Sequence, residues 1–219
     1  MSGFEVFNSS GAVLVNSDQK HTIYHSSYTP QMLQPGDYDG LNTPFGQIRD
    51  LAYFQYNKGY EKQDGYLHWV QFLWNNAWGW PGSDLFVPNC IRVIRTTRNA
   101  QFPSGVLDVF DGSGQLIWSA LGAASMPRVT GFLEVAGNWP LEGNVASVSP
   151  GYNPFFLWES CMGEMSYDGV TSGFSGNLMR WTGSQLQTTW IRRNQRGFND
   201  IFNGRGNMKI PMARFLGWN

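Results

Sequence analysis

The phrase EVFNSSGAVLVNS at residues 5–17 returns, offset by 103 positions, as DVFDGSGQLIWSA at 108–120. Aligned without a gap, both copies run acidic residue, Val, Phe, Asn or Asp, then Ser-Gly (Ser10-Gly11 and Ser113-Gly114) and an apolar stretch. Extended chain turns alternate side chains to opposite faces. The Asn, Asp, Ser and Gly residues in the middle supply side-chain-bonded and left-handed turn geometry. Each copy therefore reads as strand, turn, strand, with turns at 8–11 and 111–114. A lone two-stranded hairpin is marginal in water and must bury a face against something else. The two copies either line one shared sandwich or found two similar lobes, residues 1–102 and 103–219.

The rest of the chain agrees with a hairpin-built protein. Its 26 Gly and 11 Pro follow no period, charged residues are only 14%, and aromatic residues reach 16% with 10 Trp. No segment shows a 3.6-residue pattern over ten or more positions. An all-β fold follows, a β-sandwich of antiparallel hairpins with under about 15% helix. Further strands are expected at 51–57, 66–74, 90–96, 129–135, 154–158, 185–192 and 208–215. In 66–74 both faces are largely apolar, so that strand is expected at the centre of a sheet. Residues 26–49, rich in Ser, Pro, Gly and Asp, read as an irregular surface piece, and 98–105 and 136–154 as seams.

Composition also narrows the function. The opening residues show no basic segment followed by an apolar one, so no secretory leader is read there. No run of about 18 apolar residues offers a membrane span. Cys90 and Cys161 lack metal-ligand spacing and are expected to be free, buried thiols. His21 and His25 would share a strand face but find no third ligand of the right type, His68 lies within a dense apolar strand, and Asp37 and Asp39 in GDYDG lack the later Glu of a calcium loop. No metal and no cofactor are expected.

The opening GFEVFNSSGAV and the internal LDVFDGSGQLIWSA together resemble small tail-associated proteins of tailed bacteriophages and related prophages. That resemblance implies a non-enzymatic all-β virion component at the tail tip, baseplate or fibre attachment region. Such a protein is made in the host cytoplasm and is present as a homo-oligomer or in several copies among other tail proteins. The resemblance brings no catalytic residue and does not extend to the C-terminal segment.

Three clusters are candidate sites. In WNNAWGW, Trp74, Asn75, Asn76, Trp78 and Trp80 combine indole faces, which stack on sugar C–H surfaces, with amides that bond hydroxyls. The alternative to a structural role is therefore a module that binds a carbohydrate or a receptor, such as a host surface glycan; Trp is also enriched at ordinary interfaces. The second cluster is basic. Residues 178–219 carry seven Lys and Arg against Asp200 alone, whereas 1–177 carry eight against fifteen acidic residues. Arg192, Arg193, Arg196 and Arg205, interleaved with Trp190, Phe198, Phe202, Phe215 and Trp218, suit docking on another subunit better than binding nucleic acid. Third, Glu159, Glu164 and Asp168 lie close enough in sequence to raise a glycan-hydrolase reading, with nothing to fix their separation.

Overall fold

The computed structural model describes residues 5–7, 13–16, 21–30, 41–48, 54–55, 65–98, 101–167 and 172–218. In chain order the strands begin β1 (Glu5–Phe7), β2 (Val13–Asn16), β3 (Ile23–Tyr28), β4 (Leu41–Thr43), β5 (Gly46–Ile48) and β6 (Phe54–Gln55). The middle of the chain gives β7 (Tyr66–Phe72), β8 (Trp78–Trp80), β9 (Leu85–Phe86), β10 (Ile91–Thr97), β11 (Asp108–Phe110), β12 (Leu116–Ser119) and β13 (Arg128–Val135). There follow β14 (Ala146–Val148), β15 (Phe155–Leu157), β16 (Gly163–Tyr167), β17 (Ser172–Trp181), β18 (Leu186–Arg193), the short helix α1 (Phe198–Phe202) and β19 (Met208–Arg214). Strand accounts for 47% and helix for 9%, as the turn-rich composition requires.

The repeated phrase folds the same way twice. In β1–β2, Glu5 pairs Asn16, Val6 pairs Val15 and Phe7 pairs Val13, with the register slipping between Val6 and Phe7. In β11–β12, Asp108 pairs Ser119, Val109 pairs Trp118 and Phe110 pairs Leu116, slipping between Val109 and Phe110. Position for position these are one register with one irregularity at the same place, so the sequence repeat is a repeat of hairpin geometry. The copies do not share a sheet, however: each is its own two-stranded ribbon. The turn 111–114 is built by Asp111, whose Oδ1 accepts from Ser113 N–H at 2.8 Å, Ser113 Oγ at 2.7 Å and Gln115 N–H at 2.9 Å. Those bonds, the Ser113 hydroxyl foremost, hold the Asp111 carboxyl below the usual range. The turn expected at 8–11 lies outside the described residues, as do GDYDG and Asp168.

Two large sheets form the body. One has six strands in the order β13-β19-β15-β7-β10-β3, and the other seven, β14-β18-β17-β8-β9-β6 with β16 on β17. Strands from both sides of residue 102 pair within each sheet. Between the sheets, Val70, Val93 and Ile210 of the first meet Phe86, Met179 and Trp190 of the second in the main core. β7 is interior as its two apolar faces require: Val70 and Phe72 enter this core, while Trp69 packs on the opposite face with Phe155 and Phe215. Cys90 and Cys161 are both free and both buried in it. Burial pushes the Cys90 thiol up to about 12. Neither cysteine is expected to react with a thiol reagent until the protein is unfolded; rapid native labelling in a colorimetric thiol assay would contradict this placement.

Several expectations are corrected. Residues 26–49 are not uniformly irregular, since β3 runs to Tyr28 on the edge of the six-stranded sheet and β4–β5 form a hairpin. The seam 136–154 is no loose linker, because Leu141 is completely buried and its carbonyl accepts from Trp190 N–H at 3.3 Å and Thr189 Oγ1 at 3.2 Å. The longest strand, β17, went unread. Its SGFSGNLMRW sequence holds two Gly and no β-branched residue, which is poor strand composition.

Candidate functional site

Three connections meet at one end of the sandwich: 73–77 between β7 and β8, 149–154 between β14 and β15, and 182–185 between β17 and β18. Each is fixed by hydrogen bonds. Asn76 N–H donates to the Trp181 carbonyl at 2.6 Å, and Asn153 Nδ2 donates to the Phe72 carbonyl at 2.7 Å. Gln71, buried in β7, returns a bond from its Nε2 to the Asn153 carbonyl at 3.0 Å. The tight turn 182–185 is closed by Thr182 N–H on Gln185 O and Gln185 N–H on Thr182 Oγ1, both at 3.0 Å. Between the connections lies a groove of about 410 Å³, lined by Ser149, Gly151, Tyr152, Asn153, Trp181, Gly183 and Ser184. Among the described residues, none that lines it carries a carboxylate, ammonium or guanidinium group. Asn75 borders it, since a Cβ added at Gly183 comes within 3.1 Å of the Asn75 amide nitrogen. Trp74, in the same turn, is 50% exposed.

The Trp/Asn cluster is thereby divided. Trp74, Asn75 and Asn76 are exposed at the groove end, but Trp78 and Trp80 are not a binding platform. Two residues apart on β8, they turn together onto the outer face of the seven-stranded sheet, where Trp80 meets Phe174 edge-on at 5.6 Å. Tyr152, Ser149, Trp181 and Ser184 were missed. Their segments carry turn signals, but nothing local tells that two such turns face each other.

The basic segment is largely engaged within the chain. Arg192 Nε lies 2.7 Å from Glu142 Oε2, whose other oxygen accepts from Phe198 N–H at 3.1 Å. Lys209 pairs with Glu134 at 3.4 Å, and Arg214 lies over the Tyr152 ring at 3.8 Å. Arg193, Arg196 and Arg205 are exposed. The interleaved aromatics are not surface anchors, which corrects that expectation. Trp190, Phe198, Phe202 and Phe215 are all buried, because strand alternation and the inward face of α1 carry them into the cores. Trp218 stacks on Tyr24 at 6.4 Å with Arg92 above it at 4.9 Å, again inside the chain.

Glu159 belongs to a different construction. Its Oε1 accepts from His68 Nδ1 at 2.7 Å and its Oε2 from His68 backbone N–H at 3.1 Å. β15 ends at Leu157, opposite Trp69, so the carboxylate takes the place in the ladder where the strand stops. Glu164 is exposed. His25 bonds Tyr66 and Ser26, and burial, with Arg98 second, lowers the pKa of His21. Among the described residues no three of His, Cys, Asp and Glu gather into a metal-binding group. Among them, too, no helix is long and apolar enough to cross a membrane.

A last surface feature concerns the second hairpin. Of the eleven exposed large apolar residues described, six fall within 106–132: Val106, Leu107, Phe110, Leu121, Val129 and Phe132. Val106, 92% exposed, has φ +65° at the centre of a γ-turn closed by Leu107 N–H on Gly105 O at 2.8 Å. A β-branched residue there is strained. Asp108 holds the loop in place, accepting from Ser104 Oγ at 2.5 Å and from Gly105 N–H at 3.0 Å.

Over residues 1–217 the chain matches the family described as a domain of unknown function, DUF8377, and it belongs to that family. No curated protein and no solved structure matches it.

Proposed function

We propose that the chain is a non-enzymatic structural component of a bacteriophage tail tip or baseplate, assembling with neighbouring subunits through the surface around its second hairpin. The observation that carries this reading is the concentration of exposed apolar side chains at 106–132. Large apolar side chains left in water in this number favour association. The strained Val106 supports it: holding a β-branched residue in the left-handed region costs about 1–3 kcal/mol, and such strain concentrates at functional positions. The virion setting rests on the resemblance of the two hairpin phrases to tail-associated proteins. The exposed Arg193, Arg196 and Arg205 suit polar contacts with neighbouring subunits better than a track for nucleic acid.

Immunogold labelling of particles from a strain that encodes the chain should mark the distal end of the tail. The double variant Leu107→Ser/Phe110→Ser should keep the β-sheet circular dichroism of the parent yet be depleted from purified particles. Particles without label, or a double variant incorporated as well as the parent, would overturn the reading. In the isolated subunit Val106→Gly should raise stability by about 1 kcal/mol by relieving the backbone. A loss of stability in that variant would show that Val106 is packed rather than presented.

A further inference from the structure

The geometry points to a second, separate activity: the groove between 149–153 and 182–184 binds a neutral saccharide. Its volume of about 410 Å³ falls within the roughly 300–1,000 Å³ of small-molecule clefts. Its lining rules on the ligand class. Phosphates, sulfates and carboxylates are commonly held by a cation, and cationic ligands by carboxylates; among the described residues none that lines the groove is charged. What lines it are the Ser149 and Ser184 hydroxyls, the Asn153 segment, the edge of the otherwise buried Trp181, and Tyr152, whose ring carries the Arg214 guanidinium on one face, with the Asn75 amide at the border. Hydroxyls and amides both donate and accept, which matches the hydroxyl groups of a neutral sugar, and an aromatic ring offers a flat apolar surface to its C–H face. The half-exposed indole of Trp74, in the neighbouring turn that Asn75 belongs to, supplies that flat apolar surface.

The groove is also held ready. The Asn153–Phe72 and Gln71–Asn153 bonds tie one wall to the central strand β7. A polar chain ties the walls to each other: Arg180 Nε bonds Gln187 at 2.8 Å, Gln187 bonds Gln185 at 3.0 Å, and Gln185 reaches Ser149 at 3.4 Å. Little ordering remains to be done on binding, so a small polar ligand can be held with modest contact area. Gly183, at φ +102°, lets the turn pass beside Asn75 without a side chain to fill the space.

The test is capture of the intact chain on a printed array of neutral hexose and N-acetylhexosamine oligosaccharides, with sialylated and sulfated ones alongside. Selective retention by neutral members is expected, confirmed by a saturable change in tryptophan fluorescence with the free oligosaccharide. Ser184→Trp, on an exposed turn, should fill the groove and weaken binding at least about tenfold, with the thermal unfolding midpoint unchanged. No retention by any neutral oligosaccharide, retention of the acidic ones alone, or full binding by Ser184→Trp would each overturn the assignment. Leu107→Ser/Phe110→Ser, far from the groove in sequence and on a separate ribbon, should bind as the parent does. The saccharide site and the assembly surface therefore stand or fall separately.

Discussion

Gly176→Ala is expected to destabilise the chain by about 3–4 kcal/mol, enough to threaten a marginally stable fold. Gly176 pairs with Gly163 across β16 and β17, and Gly82, in the turn after β8, backs onto Gly163. The Trp80 indole edge lies against both strand glycines. A methyl group at 176 overlaps the Gly163 Cα, the Met162 carbonyl and the indole nitrogen, and the backbone there has φ +153°. The neighbours have little room to give. Asn177 N–H bonds Met162 O at 2.8 Å, Met162 N–H bonds Asn177 Oδ1 at 3.2 Å, and the fully buried Asn177 amide bonds Thr188 at 3.2 Å. Gly163→Ala faces the same obstacle, with its Cβ 2.5 Å from the indole nitrogen and 2.9 Å from Gly82 Cα. Urea denaturation measures the loss. A cost below about 1 kcal/mol, the scale of a surface substitution, would mean that the three backbones do not approach this closely.

The second large effect is at Glu159. Glu159→Ala should cost about 3 kcal/mol, because it removes two charge-assisted acceptors at once and strands buried donors. His68 is completely buried, its ring edge-on to Trp158 at 6.3 Å. Since a carboxylate only accepts, Nδ1 carries the proton, and both this donor and the backbone N–H lose their acceptor at once. Trp158 itself is held by Nε1 on the Pro81 carbonyl at 2.6 Å, so loosening His68 also loosens the packing of Trp158 on Phe86. Glu159→Gln keeps an acceptor oxygen and should lose distinctly less. Thermal and chemical unfolding of the two variants decide it. Equal stability of the alanine variant and the parent would release Glu159 from this structural role and restore the carboxylate to consideration as a reacting group.

The sequence by itself determined what depends on neighbours along the chain. Alternation located β7, β10, β13, β15, β18 and β19 within a residue or two of their ends, and placed β7 inside a sheet. The repeated phrase specified two hairpins, and the Asp111 turn chemistry is local enough to be read from DGSG. What separation in sequence hides was decided only in three dimensions. β17 looks unlike a strand because Gly173, Ser175, Gly176 and Asn177 lack the bulk that favours one, yet Gly176 is required by the close approach of β16 and Trp80. Trp78 and Trp80 looked like partners of Trp74, but the pleat sends them to the outer sheet face while the turn leaves Trp74 in solvent. The arginines of the last segment were legible as charge. That Glu142 and Glu134, fifty or more residues earlier, would meet Arg192 and Lys209 followed from strand order. The groove is the clearest case: its walls come from 149–153 and 182–184, and its border from 75, each an ordinary turn by composition. Turns are encoded by a few adjacent residues, whereas which turns face one another is set by sheet topology, through contacts whose partners lie tens of residues apart.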